Sequence, residues 1–357
     1  MGCCDADHAA PVPEGLTSAN LAPPDLNRRT VLGGVAAVAG LLTATGPAGG
    51  QQKELKKLKL AFCSQVLCII PYEVARAKGH WRNHGLDVEL VYARGGGAAM
   101  QALVGGAVDY AATALDVAIQ AYAKGAEIRR FATTGRLPLF ALVTGPKTAA
   151  TIRGLKDLEG KTVGVSGLGN ADHALLLFLL KQAGADSTKV QYATLGVNIL
   201  ESLRQGQVDA GLVQEPALSI LTKDGARTLV NAMDLKDAQK YLGGPYEFMG
   251  VAVRAKEIEA RKPEMLQLAQ GLDDALKALP KMKPEDLVGS LPKELLAGAD
   301  VGQLREVLAR YTASLYPDRV TIDLAASRRV AASLVVAGLV KPDADVSGLH
   351  DTSIVKG

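Results

Sequence analysis

From residue 58 onward, short apolar runs alternate with longer amphipathic stretches, and small residues separate them. The run 58–65 (LKLAFCSQ) reads as a strand ending in small polar residues. Pro71 then suits the first turn of a helix, and Gly79 ends it. A strand over 88–92 leads through Gly95-Gly96-Gly97 to a helix over 98–104, a strand over 110–113, a helix over 115–124 and a strand over 128–134. Strands and helices alternating at these lengths predict βαβ units and a largely parallel sheet. The stretch 161–180, KTVGVSGLGNADHALLLFLL, is the most informative. It predicts a strand over 162–165, a turn through Ser166, Gly167 and Gly169, and a leucine-rich helix. Asn170 or Asp172 stands where a short side-chain oxygen satisfies first-turn N–H groups. Donors converging at a helix start make an anion site, unless the Asp172 carboxylate fills it first. An ordinary βα turn with no ligand is the alternative reading of this stretch.

The arrangement recurs. Subtracting 109 from 209 gives an offset of 100, which pairs Val108-Asp109 with Val208-Asp209, Gly106 with Gly206 and Gly125-Ala126 with Gly225-Ala226. Two similar α/β lobes explain this better than chance identities in a chain rich in Gly, Ala and Val. An extended segment over 138–144 is placed to cross between the lobes, and 248–253 to cross back. Helices over 263–279, 284–296, 301–315 and 322–338 then pack on the first lobe. Two lobes joined by two crossings form a cleft that hinges, and bending is expected at 140–144 and 248–251.

Composition changes this picture little. Hydrophobic residues make up 48% and aromatics only 4%, so Ala, Val and Leu must fill the core. A net charge of +3, dispersed along the chain, excludes nucleic acid as a partner. Cysteines occur at 3, 4, 63 and 68; Cys63 and Cys68 read as two buried thiols, with a local bridge as the alternative in an oxidising compartment. His80 and His84 have helical spacing but no third ligand, which assigns them to the surface. Asp109 and Asp209 precede equivalent strands and fit turn or cap duty. No nucleophile elbow, Cys/His motif or metal-ligand spacing occurs, so no catalytic residue, metal or cofactor is assigned.

Ahead of the lobes, Asn27-Arg28-Arg29 precedes an apolar run over 31–42, followed by small residues to Gly50. The run is too short to span a bilayer and suits an export signal. The paired arginines resemble a twin-arginine leader, which implies a periplasmic location.

The segments 72–79, Gly85-Leu-Asp-Val88, Ala102-Leu-Val-Gly-Gly-Ala-Val-Asp109, Leu155-Lys-Asp-Leu-Glu-Gly-Lys-Thr-Val-Gly164, Glu215-Pro216 and Ala337-Gly-Leu-Val340 carry a family resemblance. Together they resemble periplasmic solute-binding proteins of ABC importers, in the nitrate/sulfonate/taurine branch that also holds thiamin-pyrimidine-type binders. The resemblance covers roughly 58–340. It implies an α/β, bilobal type II periplasmic-binding fold: a leader over 1–50, one lobe from 51–140 plus 252–357, and a second from 141–251. It places ligand contacts in cleft-facing turns. These are Ser64 and Gln65; Gly96 and Gly97; Thr113, Ala114, Leu115 and Asp116; Ser166, Gly167, Gly169, Asn170 and His173; and Gln214 with Glu215. Gln214 departs from the aromatic residue many relatives carry there. The implied function is a monomeric receptor that captures a small, anionic solute and delivers it to a membrane permease. An enzyme of thiamin-pyrimidine metabolism using the same cleft is the alternative, and a transcriptional effector domain a third.

Overall fold

The computed structural model describes residues 54–63, 66–296 and 300–355. The leader with Arg28 and Arg29, and the candidate ligands Ser64 and Gln65, lie outside the described residues.

The first half of the chain folds as β1 (Lys56–Cys63), α1 (Val66–Ala77), α2 (His80–Asn83), β2 (Leu86–Ala93), α3 (Gly96–Val104), β3 (Tyr110–Ala114), α4 (Leu115–Ala123) and β4 (Ile128–Thr133). It crosses as β5 (Ala141–Thr144) and continues as β6 (Thr162–Val165), α5 (Ala171–Gln182), β7 (Gln191–Thr194), α6 (Ile199–Gln205), β8 (Ala210–Val213), α7 (Ala217–Lys223), β9 (Thr228–Asn231) and the short α8 (Leu235–Asp237). It returns as β10 (Met249–Arg254), followed by α9 (Ile258–Ala278), α10 (Pro284–Gly289), α11 (Lys293–Leu296), α12 (Val301–Leu315) and α13 (Leu324–Val336). Two five-stranded sheets result, in the orders β2-β1-β3-β10-β4 and β7-β6-β8-β5-β9. Adding five to the strand numbers of the first (ten becoming five) gives the second. In each sheet the strand that has just crossed over is the antiparallel one, wedged between two strands of the parallel set.

The duplication seen at an offset of 100 is therefore structural, and its two aspartates do the same work. Lys59 N–H donates to Asp109 Oδ2 at 2.7 Å, and Thr162 N–H donates to Asp209 Oδ2 at 2.9 Å. Each carboxylate extends the ladder at the start of a central strand. Gly106 and Gly206 hold φ of 81° and 75° just before them, where an L side chain would be strained.

Two prolines do not start their helices. Pro71 and Pro263 are each the sixth residue of a helix, of α1 and α9. A proline there leaves the carbonyl four residues back without its N–H donor. For Pro71 that carbonyl belongs to Leu67, and the Tyr316 hydroxyl takes it at 2.8 Å. The helix expected over 284–296 breaks into α10 and α11, because Pro292 cannot continue it. The last helix starts at Leu324 with Asp323 capping the N–H groups of Ala325 and Ala326, and Gly338 at φ 75° follows its end.

The C-terminal helices are not confined to the first lobe. α9 lies on α1 and α2, where Trp81 Nε1–H donates to Leu268 O at 3.1 Å and Gly271 leaves room for the indole. Tyr311 on α12, however, accepts from Asn231 Nδ2 at the end of β9, at 3.0 Å. α13 packs against both α4 and α5. The crossings also differ from expectation. Residues 141–144 and 249–251 are held in sheet ladders, and Met249 already pairs with Ala114 of the first sheet, so the return ends before 249 rather than at 251. The unladdered links are 134–140 and 232–248. They are tied together by Phe248 N–H to Gly135 O at 2.8 Å and Tyr246 N–H to Arg136 O at 3.1 Å.

Candidate functional site

The carboxyl ends of the central strands in the two sheets face each other, the position where open α/β sheets bind small molecules. A cavity of about 30 Å³ lies between them. The first lobe lines it with Cys63 and Cys68, the glycines Gly95 and Gly96, and Ala114 and Val117. Ser166, Asn170, Ala171 and Asp172 line it from the second lobe, Phe140 and Phe248 from the crossings, and Met249 from the start of β10. One water needs about 10–15 Å³ of such space, so the cavity admits about two or three waters and a larger solute enters only when the lobes part.

The lobes meet around this space. Gln120 on α4 donates from Nε2 to Gly169 O across the cleft at 3.0 Å. The Asn170 side chain sits against the glycine turn of the first lobe. A Cβ at Gly95 would stand 3.2 Å from Asn170 Nδ2, and one at Gly97 3.3 Å from Oδ1. The run of three glycines is thus a socket for a side chain of the opposite lobe.

The turn after β6 is already furnished with a negative charge. Asp172 accepts from Ser166 N–H and, at 2.7 Å, from the Ser166 hydroxyl. The N–H groups of His173 and of Asp172 itself also favour its charged form, yet burial outweighs them and raises its pKa. Gly169 N–H is spent on His173 Nδ1 at 3.1 Å, and burial lowers the pKa of that imidazole. The expected anion cradle on this stretch is therefore filled by the chain's own carboxylate. Asn170 is the cap position without a side-chain cap bond; its amide donates to Ser166 Oγ at 3.0 Å instead.

Of the residues expected in the site, Gly96, Ala114, Ser166 and Asn170 line the cavity, and Gly97 lies at its edge against Asn170. Thr113, Leu115 and Asp116 lie buried beneath it. Asp116 turns to the return crossing, accepting from the Tyr246 hydroxyl at 2.8 Å, and burial lifts its pKa from an ordinary 3.8 to about 6. Gly167, Gly169 and His173 shape the turn rather than line the space. Glu215 is buried, and Ser219 occupies both its oxygens through the N–H and the hydroxyl, each at 3.0 Å. Gln214 reaches across from the second lobe, with Nε2 4.0 Å from Cys68 Sγ. His84 bonds Asp274 at 2.7 Å, far from the cleft, and among the described residues no three His, Cys, Asp or Glu side chains converge as metal ligands.

Sequence reasoning reads Cys63 and Cys68 as buried thiols but does not place them at the cavity, and it misses the aromatics and the polar floor. Cys63 and Cys68 are both buried thiols, and burial, ahead of the neighbouring Cys63, pushes Cys68 up. The Phe140 and Phe248 rings, one from each crossing, meet edge to face at 5.9 Å. Beneath them Arg130, fully buried, donates to Thr113 O at 3.1 Å and to Phe248 O at 2.7 Å, with Glu247 3.4 Å away. Glu247 also accepts from the Thr133 hydroxyl and from Asp323 N–H.

A family model described as NMT1/THI5 like matches residues 68–255. The chain resembles a structure from Bordetella bronchiseptica RB50 at 23% identity and a TM-score of 0.75, covering 84% of this chain and 95% of that one. It resembles the alkanesulfonate-binding protein SsuA from Xanthomonas axonopodis pv. citri at 21% identity and a TM-score of 0.66, covering 84% and 99%. It also resembles the periplasmic nitrate-binding protein NrtA from Synechocystis PCC 6803 at 13% identity and a TM-score of 0.67, covering 84% and 87%. No curated protein sequence matches it. The structural likenesses establish the fold shared with periplasmic binding proteins. With its match spanning more than half of the residues, the chain belongs to the NMT1/THI5-like family.

Proposed function

We propose that this protein is an extracytoplasmic receptor that captures a small solute between its lobes and hands it to the permease of an ABC importer. The observation that carries this reading is the cavity itself, lined by strand ends and helix starts of both lobes and by both crossings. The ligands named for its fold relatives, an alkanesulfonate and nitrate, support a singly charged oxyanion of sulfonate, nitrate or carboxylate type. Asp172 on the cavity wall, with no Arg or Lys among the described lining residues, opposes a doubly charged one. Donors for the single charge come from the first lobe, at the start of α3, where Gly95 offers no side-chain cap to the first N–H groups.

The protein acts as a monomer without catalysis, and reaches the periplasm through the Arg28-Arg29 leader. A thermal-shift screen of sulfonates, nitrate, carboxylates and neutral pyrimidines tests the reading, since stabilisation grows as RT ln(1 + [L]/Kd). Stabilisation by a singly charged oxyanion supports it. Turnover of a bound pyrimidine would replace it with the enzyme reading. Export is tested by Arg28→Lys/Arg29→Lys, which should leave precursor in the cytoplasm.

A further inference from the structure

The floor of the cavity carries chemistry that oxyanion capture does not use. Cys63 ends β1 and Cys68 is the third residue of α1, so two thiols from adjoining elements reach the same small space. They are close enough for Cys63 to act as a hydrogen-bond partner of Cys68. Met249, at the start of β10, lines the same cavity. Sulfur-rich walls select soft ions, and thiolates hold them most strongly. With no third His, Cys, Asp or Glu converging among the described residues, zinc and harder ions lack their usual shell. An ion content with two thiolates does not need one.

We propose that Cys63 and Cys68 form a binding site for one soft monovalent metal ion of the Cu(I) class. Binding forms two metal–sulfur bonds and releases two thiol protons, leaving a bis-thiolate complex with one net negative charge. No electron is transferred. Two features accommodate the buried charge. Cys68 lies in the first turn of a 12-residue helix, where the N-terminal dipole favours thiolate. Gln214 brings an amide N–H from the opposite lobe to 4.0 Å from Cys68 Sγ. Cys63 and Cys68 are both buried, so the ion enters with the lobes apart and closure then covers it.

The test is anaerobic Cu(I) titration of the full reduced chain against a chromophoric Cu(I) chelator. Cys3 and Cys4 are an adjacent thiol pair elsewhere in the sequence, so Cys3→Ser/Cys4→Ser is titrated beside it. That variant should still take up a single equivalent, with a sulfur-to-metal absorption band. In the same background Cys63→Ser and Cys68→Ser should each weaken binding by at least about 100-fold. Second-shell changes alone cost 10–100-fold, and these remove a ligand. Unchanged far-UV circular dichroism shows that the variants fold. Binding lost with Cys3 and Cys4, or kept after serine replaces Cys63 and Cys68, overturns the proposal. So does a 63–68 disulfide that persists in the reducing buffer and takes up no copper. None of these outcomes depends on which solute the cleft binds, because no solute is present.

Discussion

Asp116 offers the sharpest quantitative test of the polar floor. Its carboxylate is fully buried, bonded to the Tyr246 hydroxyl at 2.8 Å, and its other oxygen has no hydrogen-bond partner among the described residues. Burial lifts its pKa from 3.8 to about 6, against the opposing pull of Tyr246 and Arg130. Between those values the folded chain holds a proton that the unfolded chain has lost, so stability falls as pH rises through the window. At about 1.36 kcal/mol per pH unit, the full penalty is on the order of 3 kcal/mol, reached above pH 6. Asn cannot ionise and keeps an oxygen for Tyr246. Asp116→Asn should therefore stabilise the protein relative to its parent by up to ~3 kcal/mol at pH 7, with the gain shrinking to nothing, or to a small loss, near pH 4. The comparison must be made by difference. His350, lowered to about 4 by burial and by Arg130, contributes the opposite slope, stabilising as pH rises from 4 towards 6.5. Urea unfolding of both proteins at intervals between pH 4 and pH 7 measures that difference. A stability difference that stays constant across the range would refute the assignment of a buried, proton-holding Asp116.

Other perturbations follow from the same geometry. Gln120→Ala removes a hydrogen bond made only when the lobes are together; at about 1 kcal/mol net it should shift closure towards the open form roughly 5-fold, read by inter-lobe fluorescence energy transfer, with the unfolding midpoint nearly unmoved. Arg130→Met leaves Glu247 buried beside no cation and should cost about 3–5 kcal/mol, whereas Arg130→Met/Glu247→Gln should recover much of it in chemical denaturation. Gly97→Ala places a Cβ 3.3 Å from Asn170 Oδ1 only in the closed arrangement, so small-angle scattering should show a larger mean radius than for the parent.

The two lobes were legible in the sequence because duplication repeats local signals: the same Gly-then-Val-Asp entry to a strand appears at 106–109 and 206–209, and in both places the aspartate binds the parallel neighbour of the strand it precedes. What local signals missed depends on partners far along the chain. Pro71 reads as a helix start until Tyr316, 249 residues beyond Leu67, supplies the donor to the Leu67 carbonyl that lets the helix begin five residues earlier. Nothing near Glu247 announces Arg130, 117 residues before it. At the glycine turn 95–97 the structure supplies a steric reason for the small residues that the sequence does not carry, the Asn170 side chain of the other lobe. The anion cradle at 166–172 failed for a reason visible in the sequence. Asp172 stood among the donors, and a carboxylate six residues along the same chain reaches them at far higher effective concentration than any solute. A helix start can advertise an anion site and have its occupant built in. On the proposed reading, selectivity then comes from the facing lobe and from the ability of the cleft to open.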